Sequence, residues 1–383
     1  MDTKPKLYLV WMFLLVLLGI LVGYLSIKGI VFAYDVIFNQ NEKISIFKEE
    51  IQGNSDTQRE IAKEILRRST TEQFLNIGFV GDIIPGTNAS SDIFIHTKEY
   101  TEKPDLMIGN FEGVVTTHTY QKCKIDSLKC FAFNGDSTFL KFLDEASFDV
   151  LNLANNHSND YGEVGKEDTR ANIHEAGMIA SGMKNKITYL KGKNMRVGVV
   201  GFSNYFYTSD MNSTKNVTDI VSEAEQNTDI VIVIFHGGGE GEQYTNITND
   251  TEWYLGENRG NPKAFAHSAI DAGADIVLGS GPHILRGMEW YKDRLIAYSL
   301  GNFASASPVS TYGKAKISAM LDISLKKNGS FISGSIISLE LKTNGIPYRD
   351  IDNTAIININ SLSKEDFGEY GVVLNPLGEI LKI

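Results

Sequence analysis

A series of short apolar runs, each ended by small or polar residues, constrains the fold of this chain more than any other feature. The runs are continuous and rich in Val and Ile, as in strands that are buried on both faces of a sheet. Helices are predicted between them at 163–176, 217–227 and 262–272. Strands interleaved with helices predict an α/β layered fold. The predicted strands lie at 74–80, 106–109, 148–154, 196–202, 229–235, 274–278 and 294–300.

The pattern changes beyond about residue 315, where two alternating apolar segments follow each other without a helix between them. Segments 317–325 and 331–341 are joined by a turn that contains Asn328-Gly329, and Asn-Gly is a strong signal for a β-hairpin. We therefore predict that 307–383 form a hairpin and a tail that pack on the main α/β domain, which covers 73–306.

Residues 7–27 carry no charged side chain and, as a helix with a rise of about 1.5 Å per residue, span a hydrocarbon core of about 30 Å. The run is too long for the apolar part of a cleavable signal peptide, and no small-residue cleavage site follows it. Lys4 and Lys6 precede it, and the positive-inside rule then places the N-terminus in the cytoplasm. We predict a single-pass cell-membrane protein with a cytoplasmic tail and transmembrane anchor over 1–28.

The bulk of the chain is then predicted to lie outside the cytoplasm, carried by an extracellular stalk over 29–72. That segment places isolated Ile and Phe residues among many charged ones, which is typical of solvated helices. The formal net charge of the chain is -11. This excludes a nucleic-acid partner, because phosphate binding requires a basic surface.

The chain has two cysteines, Cys123 and Cys130, in a polar stretch between two predicted strands. Two cysteines are too few for a disulfide scaffold, and their spacing does not match a zinc finger. In an oxidising compartment one disulfide would close the short loop between them. Two free thiols, or a metal-binding role, are the alternatives.

Polar residues of a few types recur just past the predicted strand ends. In an open α/β sheet, ligands bind beyond the carboxyl ends of the strands, so these side chains can converge although they are distant in sequence. Carboxylates and imidazoles together suit divalent ions such as Zn²⁺, Mn²⁺ or Fe²⁺. Each residue alone also fits a turn, a helix cap or a solvated position. The residues are Asp82, Asn110, Glu112, Asn156, His157, His236, Glu240, His283 and Asn302.

The chain resembles the CapA-type capsule-synthesis proteins, which are associated with poly-γ-glutamate production in bacteria. The shared motifs follow the family's order, and an N-terminal anchor before an outer domain is also the family's layout. The motifs are Phe79-Val80-Gly81-Asp82, Asn110-Phe111-Glu112, Ala154-Asn155-Asn156-His157 with Asp160-Tyr161-Gly162, His236 with Glu240, Gly273-Ala274-Asp275 with Pro282-His283, and Tyr298-Ser299-Leu300-Gly301-Asn302-Phe303.

The CapA family is similar in turn to the calcineurin-like metallophosphatases, which implies a layered β-sandwich flanked by helices. Carried over by position, Asp82, Glu112, Asn156, His236 and His283 are the implied metal ligands. The resemblance also implies that Asp82 takes part in catalysis and that His157 is the acid that protonates a leaving group. We further assign substrate contacts to Asn110, Glu240, Arg286 and Asn302.

Two positions depart from these patterns. Ile84 occupies the place where the phosphatases have a histidine two residues after the first Asp, and the CapA family shares this loss. Ser280 occupies the place of a histidine that is usual in the CapA proteins, and a hydroxyl is a poor replacement for imidazole. The resemblance therefore implies one metal, weakly held, or none.

These observations support three hypotheses of function. The first is an extracellular component of capsule or poly-γ-glutamate biosynthesis or export, whose partners are an anionic polymer or its synthase complex in the membrane. The second is a metal-dependent hydrolase of phosphoester or γ-glutamyl amide bonds. The third is a surface protein that keeps the fold without catalysis.

Overall fold

The structure is a computed structural model that describes residues 74–87, 89–123, 130–309 and 311–382. The predicted anchor at 7–27 and the predicted stalk at 29–72 lie outside the described residues. Within the described part of the chain, no helix combines the length and the apolar character that crossing a bilayer requires.

The described residues form strands and helices that alternate over most of the domain. In chain order the strands are β1 (Phe74–Ile84), β2 (Leu106–Phe111), β3 (Val114–Val115), β4 (Asn134–Gly135), β5 (Val150–Asn152), β6 (Ile179–Ser181), β7 (Thr188–Gly192), β8 (Met195–Ser203), β9 (Ser209–Asp210), β10 (Ile230–His236), β11 (Trp253–Tyr254), β12 (Glu257–Asn258), β13 (Ile276–Ser280), β14 (Met288–Tyr291), β15 (Arg294–Ala297), β16 (Asn302–Ser305), β17 (Ile317–Lys326), β18 (Phe331–Leu341), β19 (Pro347–Arg349), β20 (Val373–Leu374) and β21 (Ile380–Leu381). The helices are α1 (Lys98–Thr101), α2 (Ser137–Glu145), α3 (Gly162–Glu175), α4 (Thr214–Asn227), α5 (Pro262–Asp271) and α6 (Thr354–Phe367), with short 3-10 turns at Glu242–Tyr244, Gly313–Lys316 and Gly368–Tyr370.

Two large sheets organise the domain. The first has the order β19-β18-β17-β1-β2-β5-β6, with β16 also pairing with β1, and the second has the order β14-β15-β13-β10-β8-β7, with β9 also pairing with β8. In the first sheet β1, β2, β5 and β6 are parallel, and in the second β8, β10, β13 and β15 are parallel. The seven strands predicted from the apolar runs correspond to β1, β2, β5, β8, β10, β13 and β15, whereas the parallel strand β6 was not predicted. The α/β prediction is confirmed.

The sheets pack face to face around an apolar core, and helices cover their outer faces. In β10, Ile230, Ile232 and Ile234 point into the core between the sheets, whereas Val231 and Val233 pack beneath α4 and α5. This alternation follows from the two-residue period of a strand, and it explains why the runs are apolar throughout. On the other side, α2 and α3 pack on the first sheet. The predicted β-sandwich flanked by helices is observed.

The predicted hairpin is also observed, because β17 and β18 pair antiparallel and Gly329 has a φ of +72° in the turn between them. Both strands extend the first sheet beyond β1. The segment after them contains α6, which sequence patterning did not reveal. Ala355, Ile356 and Ile359 of α6 join the core between the sheets.

A close backbone contact fixes the end of β1. The ladder between β1 and β2 shifts register between Val80 and Asp82, and the amide N of Asp82 donates to the carbonyl of Gly301 at 3.0 Å. A Cβ atom on Gly81 would lie 2.0 Å from that carbonyl oxygen. Gly81 is therefore required for the approach that aims the Asp82 side chain out of the strand end.

We expect Gly81→Ala to destabilise the protein by about 3 kcal/mol, because the new methyl group must displace rigid backbone. Chemical denaturation of the full chain would measure this loss. Gly198→Ala is the matched control, since its Cβ would meet side-chain atoms of Thr228 and Ala224 at 3.2–3.4 Å and no backbone. Equal stability of the two variants would contradict the proposed role of the Gly81 contact.

Candidate metal centre

The candidate centre lies where the carboxyl ends of the parallel strands of both sheets meet. Asp82 ends the regular part of β1, Glu112 follows β2, His236 ends β10, and His283 follows β13. One ligand atom each of Asp82, Glu112 and His236 lie within 4.8 Å of one another, and all three residues are buried. The structure thus brings together side chains that the sequence separates by more than 150 residues.

Asp82 links the two sheets through both of its carboxylate oxygens. Oδ1 accepts from Asn110 Nδ2 at 2.8 Å and lies 3.4 Å from His236 Nδ1. Oδ2 lies 3.1 Å from His283 Nδ1 and accepts from the amide N of Gly281 at 3.4 Å. Burial by itself would raise the pKa of Asp82, but the hydrogen bonds and charges of His236 and His283 outweigh it and lower the pKa.

Glu112 occupies the middle of the centre. Its Oε1 lies 3.7 Å from His157 Nε2, 3.7 Å from His236 Nε2 and 3.8 Å from His283 Nε2. Both of its carboxylate oxygens are buried and have no hydrogen-bond partner among the described residues. Burial raises the pKa of Glu112 well above its usual range, and the charges of Asp82, Glu240 and Asp160 act in the same direction.

Each imidazole that faces Glu112 is held through its other ring nitrogen. His236 Nδ1 is 3.0 Å from Asn110 Nδ2 and 3.3 Å from Ser280 Oγ, and His283 Nδ1 is 2.8 Å from Asn302 Oδ1. Metal-binding histidines are characteristically oriented in this way, with one nitrogen engaged and the other free for the ion. His236 Nε2 is buried and has no partner in the described part of the chain.

The pKa values of His236 and His283 are shifted in opposite directions because the surroundings of the two rings differ. Burial lowers the pKa of His236. Burial would also lower the pKa of His283, but the negative charges of Glu112, Asp82 and Glu240 raise it well above its usual range. A negative site without a bound cation therefore draws a proton onto His283.

His157 and Asn156 approach the centre from the loop after β5. His157 Nδ1 is 2.7 Å from Asp160 Oδ2, and burial lowers the pKa of His157. Asn156 Oδ1 is buried without a hydrogen-bond partner among the described residues. Its backbone carbonyl accepts from Tyr207 Oη at 3.0 Å, which fixes the loop.

Asp160 and Lys122 complete this side of the centre and were not predicted as site residues. Asp160 is fully buried, and its Oδ1 forms a 2.6 Å ion pair with Lys122 Nζ. Asp160 could have been predicted, because it lies three residues after His157 and belongs to the same family motif. No local pattern points to Lys122, because only the fold brings it there.

The two departures are accommodated differently. Ile84 is fully buried, so an apolar side chain fills that position. Ser280 Oγ contacts His236 Nδ1 rather than the middle of the centre. Ser280 therefore orients an imidazole.

The predicted substrate contacts separate into two groups. Asn110 and Asn302 bond to Asp82 and His283 inside the centre. Glu240 Oε2 lies 4.0 Å from His283 Nε2 at the edge of the centre, while its Oε1 pairs with Arg259 at 2.9 Å.

Arg286 differs from what we predicted. It is fully buried, and its guanidinium donates to both carboxylate oxygens of Glu252 at 3.0 and 2.7 Å. A cation with a charge already neutralised inside the protein has no surface with which to hold a polymer. Proximity to His283 in sequence did not place its side chain in the centre.

The structure joins Cys123 and Cys130 by a disulfide. Lys122 directly precedes this bridge, and the amide N of Phe133, shortly after it, donates to Asp160 Oδ2 at 2.8 Å. Residues on both sides of the bridge thus contact Asp160, the residue that orients His157.

A family model described as bacterial capsule synthesis protein PGA_cap matches residues 76–307. The chain belongs to this family. It is 31% identical over 289 residues to the PGA biosynthesis protein CapA of Bacillus subtilis, a match that covers 69% of this chain and 71% of that protein. It is also 31% identical over 289 residues to the capsule biosynthesis protein CapA of Bacillus anthracis, covering 67% of this chain and 66% of that protein. The resemblance to CapA-type proteins is confirmed.

Solved structures resemble this capsule-synthesis family member only in broad outline. A putative 5'-nucleotidase from Staphylococcus aureus matches with a TM-score of 0.43 and 15% identity, over 75% of this chain and 58% of that one. The purple acid phosphatase PPD1 of yellow lupin matches with a TM-score of 0.29 and 10% identity, over 70% of this chain and 55% of that one. Likenesses this weak assign neither a substrate nor an ion.

We expect Glu112→Gln to stabilise the metal-free protein by about 2 kcal/mol at neutral pH, because a neutral amide replaces a carboxyl group whose charged form is disfavoured by burial. The gain should grow as pH rises above about 4.3, where the unfolded carboxyl ionises and the buried one resists ionisation. Thermal unfolding in a chelator would measure it. Glu240→Gln is the control and should not stabilise, since Glu240 is paired with Arg259. A destabilised Glu112→Gln protein would contradict this account.

Proposed function

We propose that this protein is a membrane-anchored, extracellular component of capsule or poly-γ-glutamate biosynthesis or export, and that its strand-end centre binds one divalent ion. The observation that carries the metal proposal is a set of buried polar atoms in the centre that have no hydrogen-bond partner among the described residues. They are both carboxylate oxygens of Glu112 and His236 Nε2, which is 3.7 Å from Glu112 Oε1. Asn156 Oδ1, next to His157 in sequence, is also buried without such a partner. The names of the CapA relatives support the role in capsule or poly-γ-glutamate biosynthesis.

The residues present fit a divalent ion. Burying a carboxylate without a hydrogen bond is costly, and a coordinated cation removes that cost. Mixed carboxylate, amide and imidazole ligands suit Mn²⁺, Zn²⁺ or Fe²⁺. Asp82, Glu112, Asn156, His236 and His283 would hold the ion, while Asn110, Ser280 and Asn302 orient these ligands.

The proposed partner is an anionic polymer or its synthase complex in the membrane. A chain with a formal net charge of -11 repels a polyanion at long range, so local cations must offset the repulsion. A bound divalent ion would supply one such cation. Lys122, whose side chain is 37% exposed next to the centre, supplies another. The proposed membrane anchor at 7–27 would keep this centre close to a synthase in the bilayer.

A second candidate function is a metal-dependent hydrolase of phosphoester or γ-glutamyl amide bonds, and the pair formed by His157 and Asp160 favours it. When bound, a divalent ion supplies Lewis-acid polarisation of a phosphoryl or carbonyl oxygen. Asp160 accepts from His157 Nδ1 and favours the doubly protonated imidazolium, which opposes the lowering of the His157 pKa by burial. In that form Nε2 carries a proton that could pass to a leaving group beside Glu112. A surface protein that keeps the fold without catalysis is the remaining alternative.

We expect deletion of the gene to remove a capsular or poly-γ-glutamate polymer from the cell surface. The wild-type gene should restore the polymer, and His236→Ala, which removes a ligand, should not. Surface polymer is measured by its glutamate content after hydrolysis, with Tyr370→Ala, an exposed residue of the C-terminal region, as the control variant. An unchanged polymer level in the deletion strain would refute the biosynthetic role.

If the centre hydrolyses its substrate, His157→Ala should retain the metal and lower turnover by about a hundredfold or more, since a general acid contributes that much. Asp160→Asn should lower turnover less, because the imidazole remains. Metal content measured by mass spectrometry accompanies each rate. Protein that folds but binds no divalent ion would eliminate the hydrolase and the metal proposal together.

A further inference from the structure

A polar cleft of about 480 Å³ is lined by the segment between β8 and α4, by the first turn of α4, and by Lys184 and Asn185 before β7. Its volume falls in the range of about 300–1,000 Å³ that is usual for ligand pockets. We call it the asparagine cleft, because it is lined by Asn185, Asn204, Asn212 and Asn216 together with Tyr205 and Phe206. None of its described lining residues is aliphatic.

Two of the asparagines hold the cleft together. Asn216 Oδ1 accepts from the amide N of Asp210 at 2.9 Å, and its Nδ2 donates to Asn185 Oδ1 at 3.0 Å. Ser213 caps α4 by accepting from the amide N of Asn216 at 3.2 Å. The frame of the cleft is therefore built in advance of any ligand.

The other two asparagines retain hydrogen-bonding capacity. Asn204 Nδ2 donates to the carbonyl of Asn258 at 2.9 Å, but Asn204 Oδ1 is buried with no partner among the described residues. The side-chain amide of Asn212 makes no hydrogen bond within the described part of the chain. Each amide group offers donors and an acceptor in one plane, which suits a ligand whose neighbouring groups both donate and accept.

Aromatic surface accompanies these amides. Phe206, one of the cleft's lining residues, is 79% exposed, so its ring is accessible to a ligand. The negative face of an aromatic ring attracts weakly positive C–H groups, so it can pack against the C–H face of a sugar ring. Amides for hydroxyl groups and a ring for the C–H face are complementary to a saccharide.

The charges of the cleft argue against an anionic ligand. Lys184 and Asp210 are its charged lining residues, one of each sign. Lys184 Nζ is engaged by the carbonyl of Phe206, and Asp210 Oδ1 accepts from the amide N of Asn212. A peptide ligand is also disfavoured, because its side chains would find no aliphatic pocket.

Two stacked aromatic rings connect the cleft to the candidate centre. The ring of Tyr205 stacks on Tyr207 at 5.6 Å, and Tyr207 Oη donates to the carbonyl of Asn156. The guanidinium of Arg259, which pairs with Glu240, lies 5.8 Å from the ring of Tyr205. The rings of Tyr205 and Tyr207 therefore stand between the cleft and the backbone of Asn156, a proposed metal ligand.

We propose that the asparagine cleft is a binding site for a neutral saccharide unit. The site is separate from the metal centre and does not depend on hydrolysis there. It gives the domain a contact with glycan next to the place where the anionic polymer is proposed to bind.

The test uses the full-length protein in a detergent without a sugar headgroup, with two probes, tetra-N-acetylchitotetraose and maltotetraose. Saturation-transfer NMR should show contact with the ring protons of at least one probe, and calorimetry then gives its affinity. Phe206→Ala and Asn212→Ala should each weaken binding about tenfold. Tyr370→Ala removes an exposed aromatic ring elsewhere and should leave the affinity unchanged.

Absence of transfer to both sugars at millimolar concentration would overturn the proposal. Equal affinity of the wild type, Phe206→Ala and Asn212→Ala would overturn it as well, as would binding of a γ-glutamyl hexapeptide that Phe206→Ala abolishes. Both substitutions lie at exposed or loop positions, and circular dichroism verifies that the variants fold. A chelator should not change sugar binding, so this result is distinguishable from failure of the metal proposal.

Discussion

The carboxylate of Asp82 is the point on which the rest of the centre depends. It extends from the first sheet, and its oxygens contact His236, His283 and the amide of Gly281, all from the second sheet. Together with the contact between Asn110 and His236, these contacts tie the carboxyl ends of the two sheets, whose facing surfaces are packed through apolar side chains. Gly81, directly before Asp82, permits the close approach to Gly301 and so positions the Asp82 carboxylate. The histidines and Glu112 are then oriented around that charge.

The buried acidic side chains of the centre lower the stability of the folded protein. Three acidic side chains, Asp82, Glu112 and Asp160, are fully buried within one small region. The apolar core between the sheets has to outweigh the cost of holding Glu112 there without a hydrogen-bond partner. Protein folds commonly store such costs at the sites that bind ligands. Metal binding would recover the cost, and the folded chain without metal would be correspondingly less stable.

Burial in ion pairs decides which cationic side chains near the centre remain available to a ligand, and nearness to the site motifs in sequence does not. Arg286 forms an ion pair with Glu252, and Arg259 forms ion pairs with Glu240 and Glu257. Lys122 pairs with Asp160 yet keeps part of its side chain in solvent. In the proposed function, recognition of a polyanion would rest on a bound ion and Lys122, while the neutral asparagine cleft suits a different class of ligand. The two sites meet at the stacked rings of Tyr205 and Tyr207.

The sequence by itself determined the layers of this protein, because strands buried on both faces must be apolar throughout, and these runs are. It also determined the β17–β18 hairpin, through Asn328-Gly329, and the residue types at the strand ends. Sequence did not reveal α6, although it is 14 residues long, because its apolar and polar residues do not separate clearly onto two faces of a helix. Nor could it reveal that Lys122 reaches Asp160, that Arg286 is buried against Glu252, or that four asparagines line one cleft. Only the tertiary structure decided these contacts, because hydrogen bonds and ion pairs form between side chains close in space, and local periodicity carries no information about distant neighbours.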